Sequence, residues 1–79
     1  MIDTNAAKAD LKERVDLLRD AFASNGAGTL AVVSMEIDRN RRIVEGLHSD
    51  VRLNTDEERA LAAFRLTEYE ALKAELRSM

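Results

Sequence analysis

Arg39, Arg41 and Arg42 form the one basic cluster in the chain. Three guanidiniums gathered at a point would grip phosphate or an acidic partner through charge-assisted, bidentate hydrogen bonds. Whether they gather depends on the backbone beneath them. On a helix, turning by about 100° per residue, they point in separate directions among Glu36, Asp38 and Glu45, which makes a solvated, salt-bridged surface. At the tip of a β-hairpin they would converge, and phosphate binding would revive.

The remaining candidates for chemistry are weaker. Arg65 and Glu68 fall inside an otherwise apolar stripe near the C-terminus, where charge is unexpected. At i,i+3 they either pair with each other, their stems lying over a core, or mark where that stripe meets a partner. His48 has Asp50 as its only close acidic neighbour, and one imidazole with scattered carboxylates is no metal site. Near the end of a helix, an imidazolium would simply favour the negative pole. Asp56-Glu57-Glu58 reads as a helix start before it reads as an acid–base or cation site.

Nucleophile and nucleotide signatures are missing. Ser24, Ser34 and Ser49 lack the Gly-x-Ser-x-Gly turn that would expose a nucleophile. Gly26 and Gly28 lack the P-loop lysine and the longer dinucleotide pattern. Tyr69 reads as a rim or core aromatic, not a stacking platform, because Phe22 and Phe64 are the only others. The absence of cysteine excludes disulfides and thiolate zinc sites. The expectation is therefore a non-enzymatic protein with no cofactor and no metal.

The elements that would position these side chains are led by a helical seam. Leu30, Val33, Ile37, Asn40, Val44, Leu47 and Val51 are spaced alternately by three and four, with Asn40 the single polar member. In a coiled coil, one buried Asn fixes register and oligomer state at some cost in stability. The same segment has a competing β reading. Val33, Met35 and Ile37 alternate with Ser34, Glu36 and Asp38, Arg39-Asn40 forms the turn, and residues 42–48 return. The return alternates poorly and the turn lacks its favoured glycine, so helix is preferred.

On either side lie two clearer helices. Leu11, Val15, Leu18 and Phe22 share one face, with Thr4 or Asn5 as cap, Asp10–Arg14 and Asp16–Arg19 as surface pairs, and Asn25-Gly26-Ala27-Gly28 as the stop. Thr29 would cap the second helix, and Gly46 marks a loosening end or a close contact. The third helix opens on a capping box, Thr55 with Glu58, and aligns Leu61, Phe64, Leu72, Leu76 and Met79, with Tyr69 beside them. Residues 50–54 are short enough to make the second and third helices antiparallel neighbours.

Length and composition bound the whole. Seventy-nine residues make one small domain, 1–79, and a chain of this size buries only about 60–65% of its unfolded surface. Proline is absent and aromatics are 4%, a helical mix. Twelve basic residues against fifteen acidic leave a net charge of −3, unfavourable for a protein whose main partner is a phosphate backbone. Met1-Ile2-Asp3-Thr4-Asn5 shows neither the basic region nor the apolar core of a leader. The longest nearly uncharged stretch, residues 21–35, is too short and broken to span a bilayer.

These features predict an all-α fold: a three-helix bundle, or a helical hairpin assembling as a dimer, with the α+β hairpin at about 29–48 as alternative. The expected function is a cytoplasmic interaction module of the adaptor, chaperone-like or regulatory kind, with protein partners and self-association as a homodimer. In size and charge, though through no motif, the chain is similar to secretion co-chaperones and phage-encoded inhibitors. Its partner-binding residues would be Leu30, Val33, Ile37, Asn40, Val44, Leu47, Leu61, Arg65, Glu68, Leu72 and Leu76. The alternative is a nucleic-acid-associated regulator, an antitoxin-like or helix-turn-helix dimer, using Arg39, Arg41 and Arg42.

Overall fold

A computed structural model describes residues 3–79, so the Met1-Ile2 pair of the stretch read for a leader lies outside the described residues. Three helices follow one another: α1 (Thr4–Phe22), α2 (Gly26–Val44) and α3 (Asp56–Arg77), with a 3₁₀ turn at Val51–Leu53. The described residues contain no strand, which overturns the hairpin alternative at 29–48. In helical register Val33, Ile37 and Asn40 share the buried side while Met35 faces solvent. A strand would have placed Met35 with Val33 and Ile37.

Helix starts are set by side chains that take up free backbone N–H groups. Asp3, and not Thr4 or Asn5, caps α1: its Oδ1 accepts from the Ala6 N–H at 3.1 Å, and its charge suits the helix dipole. The Asn25–Gly28 stretch does not stop α1 as expected. The helix closes through Ala23 in right-handed geometry, and Asn25 instead caps α2 by accepting from the Gly28 N–H at 3.0 Å. A Cβ on Gly28 would lie 2.5 Å from Asn25 Nδ2, so the glycine leaves the space into which the cap folds. Thr29, expected as the cap, lies inside α2 and is buried. Thr55 caps α3 as predicted, Oγ1 accepting from the Glu58 N–H at 3.2 Å.

The end of α2 departs from the heptad pattern. Gly46 adopts φ +72°, the left-handed region, so the backbone turns away after Val44. The Leu47 N–H donates to the Arg42 carbonyl at 2.8 Å and the Gly46 N–H to that of Ile43 at 3.1 Å, the two bonds of a Schellman motif. Leu47 and Val51 continue the numerical spacing but no longer sit on the helix, and both are exposed.

Cross-helix contacts give the directions. Gly46 faces Arg59 and Arg41 reaches Glu70, so α2 and α3 are antiparallel, as the short connection predicted. Lys8 lies over the Phe64 ring and Arg19 pairs with Glu75, so α1 runs parallel to α3. The result is an up-down-up three-helix bundle. Its core joins Leu11 and Val15 of α1, Val33 and Ile37 of α2, and Tyr69, Leu72 and Leu76 of α3. Met79, expected on this face, is exposed because it lies beyond the end of α3.

Candidate functional site

Most of the predicted partner-binding surface is consumed by the bundle itself. Val33, Ile37, Leu61, Leu72 and Leu76 are buried within one chain, while Leu30 and Val44 are half-buried. Asn40 has no exposed surface, and its Nδ2 donates to the Glu36 carbonyl of its own helix at 2.8 Å. Its Oδ1 is buried with no hydrogen-bond partner. The seam from Leu30 to Val44 thus packs within one chain, and Asn40 lies in the interior of its bundle.

The basic cluster is dispersed, as the helical reading expected. Arg41 leans toward Asp38 and Glu70, at 3.8 and 3.7 Å, whereas Arg39 lies on the side facing α1. Arg42, also exposed, forms no ion pair with any described residue. Arg65 and Glu68 do not pair with each other. Glu68 lines a groove between α1 and α3 with Lys8 and Lys12, and Arg65 turns into a different concavity.

That concavity is a cleft of about 530 Å³ where the first turns of α1 meet the middle of α2 and of α3. Asp3, Asp10 and Arg14 come from α1 and its cap, Glu36 and Arg39 from α2, and Arg65 and Tyr69 from α3. Ala6 and Ala7 leave it open. Arg14 Nη2 donates to Glu36 Oε1 at 3.4 Å across the α1–α2 interface, in place of the helical pairing expected with Asp10. Tyr69 is 2% exposed at the side of the cleft. Burial pushes its phenol above the ordinary value, and the charge of Glu36 adds to this, while Arg14 and Arg65 pull the other way.

Sequence reasoning missed Asp3, Asp10, Arg14, Glu36 and Tyr69 as members of one site. They are up to 66 positions apart (Tyr69 minus Asp3), and no local spacing joins them. The one signal was Arg65, a charge in an apolar stripe, with Tyr69 one turn further along the same helix.

At the C-terminal end of α2, polar contacts order the connection to α3. Asp50 caps the 3₁₀ turn and binds the Arg52 guanidinium through both carboxylate oxygens, at 3.0 and 2.9 Å. Hydrogen bonds from the Arg52 side chain and backbone hold the Asp50 carboxyl down to about 2. His48 Nδ1 accepts from the Asp50 N–H at 3.1 Å, so the imidazole serves the turn. Around this scaffold the aliphatic side chains of Leu47 and Val51 are 69% and 76% exposed.

Among the described residues, no three His, Asp or Glu side chains are grouped to hold a metal ion. None of their helices is long and apolar enough to cross a membrane. The cleft supplies hydrogen-bond donors, acceptors and charges of both signs. No protein family, curated protein sequence or solved structure was found to match the chain.

Proposed function

We propose that the protein is a non-enzymatic, cytoplasmic interaction module that docks on a protein partner through surface left over after its helices have closed their own core. The observation that carries this reading is the exposure of Leu47 and Val51 at the α2–α3 turn. Both belong to the apolar seam, and both are released from it by the left-handed Gly46. Fully burying one such side chain is worth about 1.5–3 kcal/mol. Two of them on a turn braced by Asp50 and Arg52 offer a usable anchor without a large ordering cost. Met35, 70% exposed on the outer face of α2, adds an adaptable apolar contact.

The test is affinity capture from the native host with mass spectrometry, comparing the wild-type chain with a Leu47→Ser/Val51→Ser double variant. Neither residue supports the core, so the variant is expected to keep its helical circular dichroism and lose the captured partner. The same partners at the same yield on both baits would refute the assignment. A second copy of the chain as the occupant would appear in sedimentation equilibrium as a mass that rises with concentration and ceases to rise in the double variant.

A further inference from the structure

The arginines of this chain differ in whether they find a carboxylate and in where they lie. Arg14, Arg19, Arg41 and Arg52 reach carboxylates within the chain: Glu36, Asp16 with Glu75, Asp38 with Glu70, and Asp50. Arg39, Arg42, Arg59, Arg65 and Arg77 have no such pairing among the described residues, and of these Arg39 and Arg65 line the cleft at the three-helix junction. Arg65 is also half-buried, on a stripe of α3 that is apolar apart from it and Glu68. Taking a guanidinium partly out of water without a counter-charge is unfavourable. A bound anion would supply that counter-charge, and the rigid, planar guanidinium matches a carboxylate in a two-point contact.

We infer that the cleft binds an acidic side chain of a partner's peptide segment, its carboxylate seated by Arg39 and Arg65. This deepens the interaction-module reading and rests on it. Charge favours a peptide over a nucleic acid. Asp3, Asp10 and Glu36 line the same cleft, and the whole chain carries −3, so a continuous polyphosphate would meet repulsion there. A single carboxylate among neutral or basic neighbours meets less, because it carries one charge and its flanking basic groups can face Asp10. Asp3 is already engaged by the Ala6 N–H, and Glu36 by Arg14, which leaves Asp10 as the acid free to face a partner's cation. The small side chains of Ala6 and Ala7 in the lining leave room for a backbone to lie across α1.

The experiment is panning of a random dodecapeptide library against the full chain, followed by titration of the recovered peptides. Binding is read from the fluorescence of Tyr69, the only tyrosine in a chain without tryptophan. The expected result is a shared Asp or Glu position, with at least a tenfold loss of affinity when that acid becomes its amide. Arg39→Gln and Arg65→Gln are each expected to cost tenfold or more. Arg65→Lys, which keeps charge and stem but loses the fork, should also bind more weakly while melting like the wild type. Leu47→Ser/Val51→Ser should leave the affinity of these peptides unchanged.

Recovery of no peptide above background overturns the inference, as does a set without a shared acid or one indifferent to both arginines. Peptides that depend on Leu47 and Val51 but not on Arg39 and Arg65 overturn it while leaving the interaction-module reading intact. A tighter Tyr69 response to inorganic phosphate or to a single-stranded oligonucleotide than to the acidic peptides overturns it in favour of a phosphate ligand.

Discussion

Asn40 provides the sharpest test of how the interior is built. Its side chain has no exposed surface, one amide hydrogen-bonded to the Glu36 carbonyl at 2.8 Å, and an Oδ1 with no partner. A buried acceptor left unpaired costs about 1–3 kcal/mol. Replacement by leucine keeps a four-heavy-atom, branched side chain and removes that penalty. It also gains a few tenths of a kcal/mol in helix propensity. The lost amide bond leaves no orphan behind, because in an unbroken helix the Glu36 carbonyl still accepts from the Asn40 backbone N–H. Asn40→Leu is therefore expected to stabilise the fold by about 1–3 kcal/mol. For a domain of this length that is a rise in Tm of roughly 5–20 °C. Asn40→Asp, nearly the same shape, replaces the donor by an unpaired buried charge and is expected to cost about 3–5 kcal/mol near neutral pH. Urea melts followed at 222 nm measure both. A leucine variant no more stable than the wild type would refute the orphan-acceptor argument, and so would an aspartate variant that melts with it.

Three further outcomes follow from particular contacts. Gly46→Ala forces an L-residue to φ +72° and brings a Cβ to 2.9 Å from Arg59 Nη2; urea melts should show a loss of about 1–2 kcal/mol. Ile37→Asp places a carboxylate in the core and should abolish cooperative unfolding, whereas Arg42→Ala, at an exposed position, should change stability by only a few tenths of a kcal/mol. Asp50 should titrate at about 2 in carboxyl NMR, below its ordinary 3.8, and move back up in Arg52→Ala. Because the folded value is depressed, any stability from this pair is present above pH 3.8 and is lost as pH falls toward 2.

How far the fold was legible depended on whether local signals agreed. In α1 and α3, apolar period and helix-forming composition pointed the same way, and Thr55 with Glu58 marked one start correctly. In the first half of α2 they conflicted, since Val33, Met35 and Ile37 satisfy a period of two as well as part of a helical one. Only packing against α1 and α3 settles that, by burying Val33 and Ile37 and leaving Met35 outside. The junctions were harder. Asn25 can cap the helix after it or end the helix before it, and the choice rests on the space at Gly28 that its side chain fills. At Gly46 the spacing runs on through Leu47 to Val51, although the chain has already turned. A count of intervals cannot register a change in the sign of φ.

The cleft was illegible for a different reason, and Arg65 shows what kind of trace such a site leaves. Pairing at i,i+3 or i,i+4 is a local property, so Arg65 with Glu68 was the partner the sequence offered. The helix instead points Glu68 toward Lys8 and Lys12, and Arg65 toward Tyr69 and the start of α1. The two charges therefore serve different inter-helix grooves despite sitting one turn apart. A charged residue on an apolar stripe identifies the helix on which a junction lies but not what completes it, because the completing residues come from other helices. Here they are Arg39, which had been read only with its neighbours Arg41 and Arg42, and the α1 residues Asp10 and Arg14. The bundle separates Arg39 from Arg41, leaving one beside Glu70 of α3 and the other facing α1. The basic cluster of the sequence thus contributes a single arginine to the cleft, and Arg65, remote in sequence, brings the second guanidinium on which the proposed carboxylate seat rests.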